Sequence, residues 1–448
     1  MFLKINYKKI GLNLFIFIAI FTGVFLITAY EMPKYKGFMF SFLLLILSDF
    51  YLWNHYKQFI IKQIMLIRLF LMFLFWLAMI LSFVFFFSAL FSNIKDWNPV
   101  FRTYLTGFIL VLYLSKLIAV MFLLVADLLR FLKFAFTFLF KRNRFTQKFS
   151  NKRWKFLLIV GNFCSFSLFI MLLWGMIFTE FDFQVRKVSI NSERIPQSFK
   201  GMKIVQISDI HLGSWYGKKP LQRAVNMINE LKPDLIFFTG DMVNYSTKET
   251  QDYVDVLKQL RAKKGIFAIL GNHDYGDYVK WNSADEKQKN MQDLEDFYKQ
   301  ISWILLKNEN IRIQSDSSFI SIVGVENWGK DARFPKKGDI EKALHGIDSN
   351  DYTILLSHDP THFQTLISLQ YPQIDLCLSG HTHGMQMGIS TDNFEWSPAQ
   401  LQYKYWGGLY ENQNHGKKQL LYVNRGLGVI GYPGRIGIKP EITLFELN

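Results

Sequence analysis

The sequence predicts a multi-pass α-helical membrane domain followed by an α/β domain. Long apolar stretches fill the first 178 of the 448 residues, whereas after about residue 200 short apolar segments alternate with polar and amphipathic ones. The charge divides at the same place. Residues 1–178 hold 20 of the 51 Lys and Arg residues but 4 of the 36 Asp and Glu residues.

The basic character of the chain belongs to its apolar half. Residues 1–178 contain 20 basic and 4 acidic residues, a net charge of +16. Residues 179–448 contain 31 basic and 32 acidic residues, a net charge of −1, so the whole chain carries +15. Basic residues beside long apolar runs are typical of the flanks of membrane spans. We therefore expect membrane lipids, and no nucleic acid, as partners.

Five apolar stretches are assigned to a transmembrane domain of residues 1–178. Four of them are long enough to cross a bilayer, which takes about 20 apolar residues, and the second is short. Four spans therefore stay an alternative to five. The stretches are residues 10–30, 37–53, 66–91, 103–125 and 156–178.

The basic residues between the spans predict the orientation. The loop from about 126 to 155 carries nine Lys and Arg residues and is expected in the cytoplasm. With five spans, the residues after about 179 lie outside the cytoplasm. We assign residues 179–200 to a linker and 201–448 to the second domain.

Two charged residues, Lys116 and Asp127, lie in or near the fourth predicted span. A charge inside a membrane segment is costly and is therefore a candidate for function. A lysine near the end of a span can instead extend its ammonium group to the membrane surface. Such sparse charge argues against a transporter.

Eight short apolar segments predict buried strands in the second half. Amphipathic stretches separate the first few of them, and this order is typical of a buried α/β sheet. The later strands follow one another closely, which indicates a second sheet packed on the first. The segments are residues 202–208, 234–240, 265–271, 318–325, 352–357, 375–380, 420–426 and 441–447.

Asp, Asn and His residues recur directly after these strands. In α/β sheets, ligands bind beyond the carboxyl ends of the strands, so we expect these side chains to form one site. They are Asp209, His211, Asp241, Asn272, His273, His358, His381 and His383.

Carboxylate oxygen and imidazole nitrogen together are typical ligands of divalent manganese, iron and zinc. No cysteine stands among them, which disfavours a structural zinc site, and Cys164 and Cys377 are too far apart in sequence to suggest a zinc ribbon or disulfide framework. Apart from His273, the set holds seven candidate ligands, which are too many for one ion and suit two. Paired ions can activate a bridging water and hold a phosphoryl group.

The motifs SDIHLG, TGDMVN, ILGNHDY, LLSHDP and LSGHTHGMQ, in this order, resemble those of the calcineurin-like metallophosphoesterases. The resemblance covers residues from about 200 to 448 and is strongest to the bacterial membrane-associated phosphodiesterase branch. It implies a four-layered α/β/β/α sandwich with two metal ions. Met385 stands where relatives often have glycine, which puts the substrate preference in doubt.

The resemblance also implies a role for each residue. Two groups of metal ligands would share the carboxylate of Asp241. The first group is Asp209, His211 and His383, and the second is Asn272, His358 and His381. His273 would contact the substrate phosphate and protonate the leaving group, and Asp274 would orient its imidazole.

The expected function is a membrane-anchored phosphoesterase that uses metal-activated hydroxide, with the catalytic domain on the non-cytoplasmic face of a bacterial cytoplasmic membrane. The substrate is a phosphodiester, phosphomonoester or pyrophosphate, small or lipid-linked, with a diester favoured. The alternative is a membrane receptor that binds a phosphorylated ligand without turnover. The oligomeric state stays open.

Three further features are candidates for shaping the site. Residues 275–300 form either a helical lid over the pocket or a solvated connecting helix. Two glycine-containing loops carry Arg333, Arg425 and Arg435, any of which could contact phosphate.

Overall fold

The computed structural model describes residues 36–140, 153–391, 393–414 and 416–448. The contacts among them define two compact units. Residues up to Val84 form the first together with Leu112–Phe169, and Phe85–Val111 form the second together with Ile170–Asn448.

Four long helices fill the N-terminal part that the structure describes. They are α1 (Lys36–Ile61), α2 (Met65–Phe91), α3 (Pro99–Phe140) and α4 (Lys155–Trp174), and α4 continues as a wider turn over Gly175–Thr179. Three segments are long and apolar enough to cross a membrane, namely Met65–Ala89, Pro99–Leu139 and Lys155–Thr179.

These helices correspond to four of the predicted stretches. The stretch 37–53 lies in α1, which is helical but is not among the three candidate spans found in the described residues. Helix α3 continues through Phe140, since no Gly or Pro occurs between residues 108 and 140, so residues 126–140 of the predicted loop are helical. The stretch 10–30 lies outside the described residues.

Both charged residues of the fourth predicted span have partners within the first unit. Lys116 Nζ lies 2.6 Å from Asp49 Oδ1 and 2.6 Å from the carbonyl oxygen of Phe75. Asp127 accepts two hydrogen bonds of 2.6 Å from Arg153. The ammonium group of Lys116 is therefore held by a buried carboxylate, and the prediction that it extends to the membrane surface is wrong.

The second unit contains two six-stranded sheets. The first has the order β1 (Gln184–Ile190), β14 (Glu441–Leu447), β2 (Lys203–Ile207), β3 (Leu235–Phe238), β4 (Ile266–Ala268) and β5 (Ile304–Leu305). Strand β14 is antiparallel to β2 and parallel to β1, and strands β2 to β5 are mutually parallel.

The second sheet has the order β12 (Gly408–Asn414), β13 (Lys417–Val423), β9 (Leu376–Ser379), β8 (Tyr352–Leu356), β7 (Ser318–Gly324) and β6 (Glu309–Ser315). Strands β13, β9, β8 and β7 are parallel, and β12 and β6 are antiparallel edges. A short antiparallel ribbon joins β10 (Ile389–Ser390) to β11 (Glu395–Trp396). All eight predicted strands are therefore confirmed.

The two sheets pack face to face, with helices on both outer surfaces. In β3, Leu235 and Phe237 enter the core between the sheets, whereas Ile236 and Phe238 pack on the outer helices. Those helices are α5 (Lys218–Glu230), α6 (Val254–Leu257) and α7 (Ala284–Gln300). The second sheet is covered by α8 (Ile340–Leu344), α9 (Pro360–His362), α10 (Ser368–Gln370) and the intervening turn. This is the four-layered α/β/β/α arrangement.

Two predicted boundaries change in the structure. Residues 184–190, assigned to a linker, form β1 and pair with β14, so they belong to the folded domain. Helix α7, considered as a lid, packs through Leu294, Phe297 and Tyr298 on the first sheet and forms part of the outer layer.

Replacing Lys116 with Met is expected to destabilise the first unit. The change leaves the fully buried Asp49 carboxylate without its cation, and removing one partner of a buried pair costs about 3–5 kcal/mol. The double variant Asp49→Asn/Lys116→Met should recover most of this loss. Thermal unfolding in detergent measures both. Equal unfolding temperatures for the parent and Lys116→Met would contradict the role of the pair.

Candidate metal centre

The predicted site residues lie together at the carboxyl ends of five parallel strands. Asp209 and His211 follow β2, Asp241 follows β3, and Asn272 follows β4. His358 follows β8 in the second sheet, and His381 and His383 follow β9. Both sheets therefore contribute to one site.

The loops that carry these residues adopt strained backbone conformations. The φ angles of Asp209, His211, Asp241, His381 and His383 lie between 49° and 72°, a region that side chains other than glycine rarely adopt. Such strain persists where the surrounding structure enforces it, and it is concentrated at functional sites. A Cβ atom at Gly380 would lie 2.3 Å from Asp209 Oδ2, so only glycine allows this approach.

Asp209, His211 and His383 form the first group of possible ligands. One ligand atom of each lies within 4.8 Å of the others. The Nε2 atoms of His211 and His383 are 3.1 Å apart, and His383 Nε2 is 3.3 Å from Asp209 Oδ1. All three side chains are buried.

Asp241, His358 and His381 form the second group, again within 4.8 Å of one another. His358 Nε2 lies 3.2 Å from Asp241 Oδ2 and 3.2 Å from Asn272 Oδ1. His358 Nδ1 lies 2.7 Å from the carbonyl oxygen of Thr239, to which it donates. This hydrogen bond directs the lone pair of Nε2 into the site when the imidazole is neutral.

The carboxylate of Asp241 faces both groups. Its Oδ2 atom is 3.2 Å from His358 Nε2 and 3.6 Å from His211 Nε2. Imidazole nitrogens that approach one another, as those of His211 and His383 do, cannot both be donors, and a cation between them satisfies both lone pairs. The residues present therefore fit two divalent ions that share Asp241, and the binding of those ions stays a prediction.

The electrostatics of the site favour cations. Burial alone raises the pKa of Asp209 and Asp241, but positive charge on neighbouring histidines holds both below the usual range. Burial lowers the pKa of His358, yet the two carboxylates outweigh it and raise that pKa to about 10. Burial keeps the pKa of His211 well below its usual value. Two ionised carboxylates in a buried place require positive charge, from protons or from metal ions.

Asp274 does not orient the imidazole of His273 as the resemblance implies. Its carboxylate accepts the backbone N–H groups of Asp241, Met242, Val243 and Gly271 at 2.8–3.3 Å. His273 Nδ1 lies 2.8 Å from the carbonyl oxygen of Asn244 instead. Because a carbonyl oxygen only accepts, it fixes the proton on Nδ1 and leaves Nε2 for the substrate. Burial and the charge of Asp241 raise the pKa of Asp274 to about 7.

Aromatic residues that the sequence did not single out individually surround the half-buried His273 and His381. The ring of Tyr278 lies 4.3 Å from that of His273, and its hydroxyl accepts a 2.8 Å hydrogen bond from Asn272 Nδ2. Tyr403 Oη lies 3.1 Å from His381 Nε2, and the ring of Phe334 lies 4.9 Å from that of His381. Tyr278 stands in the aromatic stretch after the GNHDY motif, whereas no motif marks Tyr403.

Of the three arginines considered as phosphate contacts, two have buried side chains. Arg425 is 1% exposed and forms ion pairs with Glu441 and Glu395. Arg435 is fully buried and donates to the carbonyl oxygens of Gly426 and Gly428. Both guanidinium groups are thus held by protein partners, and Arg435 Nη2 also lies 3.5 Å from Nδ1 of His383. Arg333 is exposed and pairs with Asp331, beside Phe334.

A buried chain of contacts connects the first turn of α3 to His273. Arg102 Nη2 lies 2.9 Å from Glu249 Oε1, and both side chains are 3% exposed. Glu249 Oε2 accepts the backbone N–H of Asn244 at 2.6 Å, and the Asn244 carbonyl oxygen holds His273 Nδ1. All four residues belong to the second unit. A residue of a candidate membrane helix thus supports the loop that orients this imidazole.

Two protein families match the chain. Residues 202–385 match the family described as "Calcineurin-like phosphoesterase". Residues 32–180 match the family described as "Probable Calcineurin-like phosphoesterase, transmembrane domain". The two matches fall on the sheet domain and on the helical region.

Several curated proteins are similar to the chain. The Uncharacterized metallophosphoesterase YkuE of Bacillus subtilis is 33% identical over 58% of this chain and 84% of its own length. The Transmembrane protein with metallophosphoesterase domain of Danio rerio is 32% identical over 59% of this chain, and that of Bos taurus is equally similar. In both of these the match spans 57% of the relative's length.

Replacing Asp274 with Asn is expected to lower the metal content and the stability of the protein. Each carboxylate oxygen accepts two backbone N–H groups, and an amide NH2 would oppose two of them at about 1–3 kcal/mol each. Elemental analysis gives the bound metal, and thermal unfolding gives the stability. Asp277→Asn, an exposed change three residues away, is the control. Full metal content with slower hydrolysis would return Asp274 to the role of orienting His273.

Replacing Arg102 with Met is expected to slow phosphoester hydrolysis by about 10- to 100-fold with little change in bound metal, because displaced catalytic groups cost that much. The control is Lys248→Met. Lys248 lies next to Glu249 in sequence and pairs with Asp96, which precedes α3, but this ion pair is exposed. Rates and metal content measured on both variants test the contact chain. Equal rates for the two variants would show that the contact between Arg102 and Glu249 does not position His273.

Proposed function

Because the chain belongs to the calcineurin-like metallophosphoesterases, we propose that it hydrolyses a phosphoester at a centre of two divalent ions. The observation that carries this proposal is the pair of ligand groups that share Asp241, next to the half-buried His273. A receptor without turnover would need neither a second ligand group nor an imidazole with a fixed proton.

When bound, the two ions, of manganese, iron or zinc, activate a water molecule and neutralise charge on the phosphoryl group. Asp209, His211 and His383 would hold one ion, Asn272, His358 and His381 would hold the other, and Asp241 would contribute to both. Asn272 contributes a neutral oxygen, which limits the negative charge that an approaching phosphate meets.

His273 supplies the proton in this scheme. Its Nδ1 proton is held by the Asn244 carbonyl oxygen, so Nε2 alone exchanges protons with the substrate. The bond from phosphorus to the leaving oxygen breaks as water adds to phosphorus, and protonated Nε2 delivers its proton to that oxygen. The ring of Tyr278 packs against His273 and restricts its rotation.

The rim of the site favours a phosphodiester over a monoester. A monoester dianion needs more positive charge than a diester, and among the rim residues described here Arg333 is the cation, already paired with Asp331. Tyr278, Tyr403 and Phe334 offer apolar surface to an organic group on the phosphate. A lipid-linked phosphate or pyrophosphate also fits a site attached to a membrane domain.

The catalytic domain is placed, in this proposal, outside the cytoplasm of a bacterial cell. The basic residues clustered between about 126 and 155 support it, because such residues favour the cytoplasmic side of a membrane. The substrate is then a small or lipid-linked phosphoester on the outer face of the cytoplasmic membrane.

The first experiment is hydrolysis of an aryl phosphodiester and the matching monoester by the manganese-loaded protein. We expect cleavage that stops on chelation and a preference for the diester. His381→Ala should lower the rate by at least about 100-fold, since even loss of an outer partner of a metal ligand costs 10–100-fold. His273→Ala should retain its metal and lose rate.

The control is Leu369→Ala, an exposed residue outside the site, which should behave as the parent. Two bound ions without cleavage of either ester or of a lipid-linked phosphate would contradict the proposal and favour the receptor. Cleavage that survives both chelation and His381→Ala would show that this centre is not the site of reaction.

A further inference from the structure

The short ribbon of β10 and β11 has its polar face towards the protein and its apolar face towards the outside. Ser390 pairs with Glu395 in register, and Ile389 pairs with Trp396. Because directly paired residues of an antiparallel ribbon lie on the same face, these two pairs occupy opposite faces.

The polar face is anchored to the domain by charge. Ser390 Oγ donates to Glu395 Oε1, and Glu395 also pairs with Arg186 and with the buried Arg425. This network accounts for the inward orientation of Glu395. It also fixes which side chains the ribbon presents on its other face.

The outer face carries three large apolar side chains. Ile389 is 51% exposed and Trp396 38% exposed. The backbone N–H of Thr391 donates to the carbonyl oxygen of Phe394, which continues the pairing by one step and puts Phe394, 56% exposed, on the same face. A ribbon in water normally buries such a face, so this one is suited to an apolar partner.

The ribbon is connected by hydrogen bonds to the end of a candidate membrane span. The backbone N–H of Gly388, next to β10, donates to the carbonyl oxygen of Ile436. Arg435, which precedes Ile436, donates its backbone N–H to the carbonyl oxygen of Gly175 in the candidate span Lys155–Thr179. The Tyr432 hydroxyl donates to the carbonyl oxygen of Leu172. At 1.5 Å per residue, Leu172 lies about 10 Å before the end of the span at Thr179. We therefore expect this segment at the level of the lipid headgroups.

We propose that the apolar face of the β10–β11 ribbon contacts the lipid leaflet into which the chain's own spans insert. Tryptophan and phenylalanine favour the membrane interface, and the anchoring through Ile436 holds the ribbon at that level. The surface is a lipid-contact site of the catalytic unit, in addition to its transmembrane helices.

The lipid contact of the ribbon also affects which substrates reach the metal centre, and this consequence rests on the proposed function. Ile389 follows the ligand His383 by a few residues, and the exposed Met385 lies between them. A ribbon seated in the headgroup layer holds the opening of the metal centre at the bilayer surface. Phosphoesters that partition into the membrane then reach the site directly.

The lipid contact is tested with an environment-sensitive fluorescent label at Phe394→Cys, in the full chain carrying Cys164→Ser. The remaining Cys377 is buried. The matched control is Leu369→Cys, which is 60% exposed and is not part of the ribbon. Both proteins are placed in nanodiscs of equal parts phosphatidylcholine and phosphatidylglycerol.

We expect brominated lipid to quench the label at position 394 and aqueous iodide to quench the label at position 369. Ile389→Cys, labelled in the same way, repeats the test if Phe394→Cys folds poorly. Iodide quenching at 394 and 389 equal to that at 369 would overturn the proposal. This readout needs no turnover, so it is independent of the proposed function.

The substrate consequence is tested with the triple variant Ile389→Ser/Phe394→Ser/Trp396→Ser. Its rate on a water-soluble aryl phosphodiester should equal that of the parent. Its rate on a long-chain alkyl aryl phosphodiester carried in the nanodiscs should fall by about tenfold, as lipid contact weakens with lost apolar area. Equal rates on the lipid-borne ester would overturn the consequence. No hydrolysis of any ester by the parent would instead count against the proposed function.

Discussion

The carboxylate of Asp274 is the interaction on which the catalytic loops depend. It accepts four buried backbone N–H groups, three from residues 241–243 and one from Gly271, and so joins the loop after β3 to the loop after β4. These loops carry Asp241 and His273, and the positive φ of Asp241 is a conformation that no local sequence preference would maintain. One buried charge with many partners thus replaces the regular backbone pairing that ends with the strands.

The same principle connects the first turn of α3 to the loops of the metal centre, within the second unit. Glu249 is a buried carboxylate whose oxygens are divided between Arg102 and the backbone N–H of Asn244. A buried charge is tolerated only when it is paired and hydrogen-bonded, so neither residue is replaceable alone. The cation comes from the first turn of α3, and the loop it supports ends at the imidazole of His273.

Much of the fold and the ligand set could be predicted because both depend on side-chain type. A run such as residues 235–238 is apolar on both faces, which only a buried strand explains. The half-exposed strands β1, β6 and β12 lack that signal and were not predicted. Asn244 acts through its backbone carbonyl, which no residue type reveals. The burial of Arg425 depends on Glu395 and Glu441, 30 and 16 residues away, so the sequence near it suggested a phosphate contact instead.

The parallel pairing of β1 with β14 limits how the protein can be divided. Strand β1 follows directly on the last membrane helix, yet it forms the edge of the first sheet, beside the C-terminal strand. A protease that cuts between residues 190 and 201 would leave the edge of β14 unpaired and Glu249 without its cation on the released fragment. Such a cut is therefore expected to disturb the loop that orients His273 instead of releasing an intact domain.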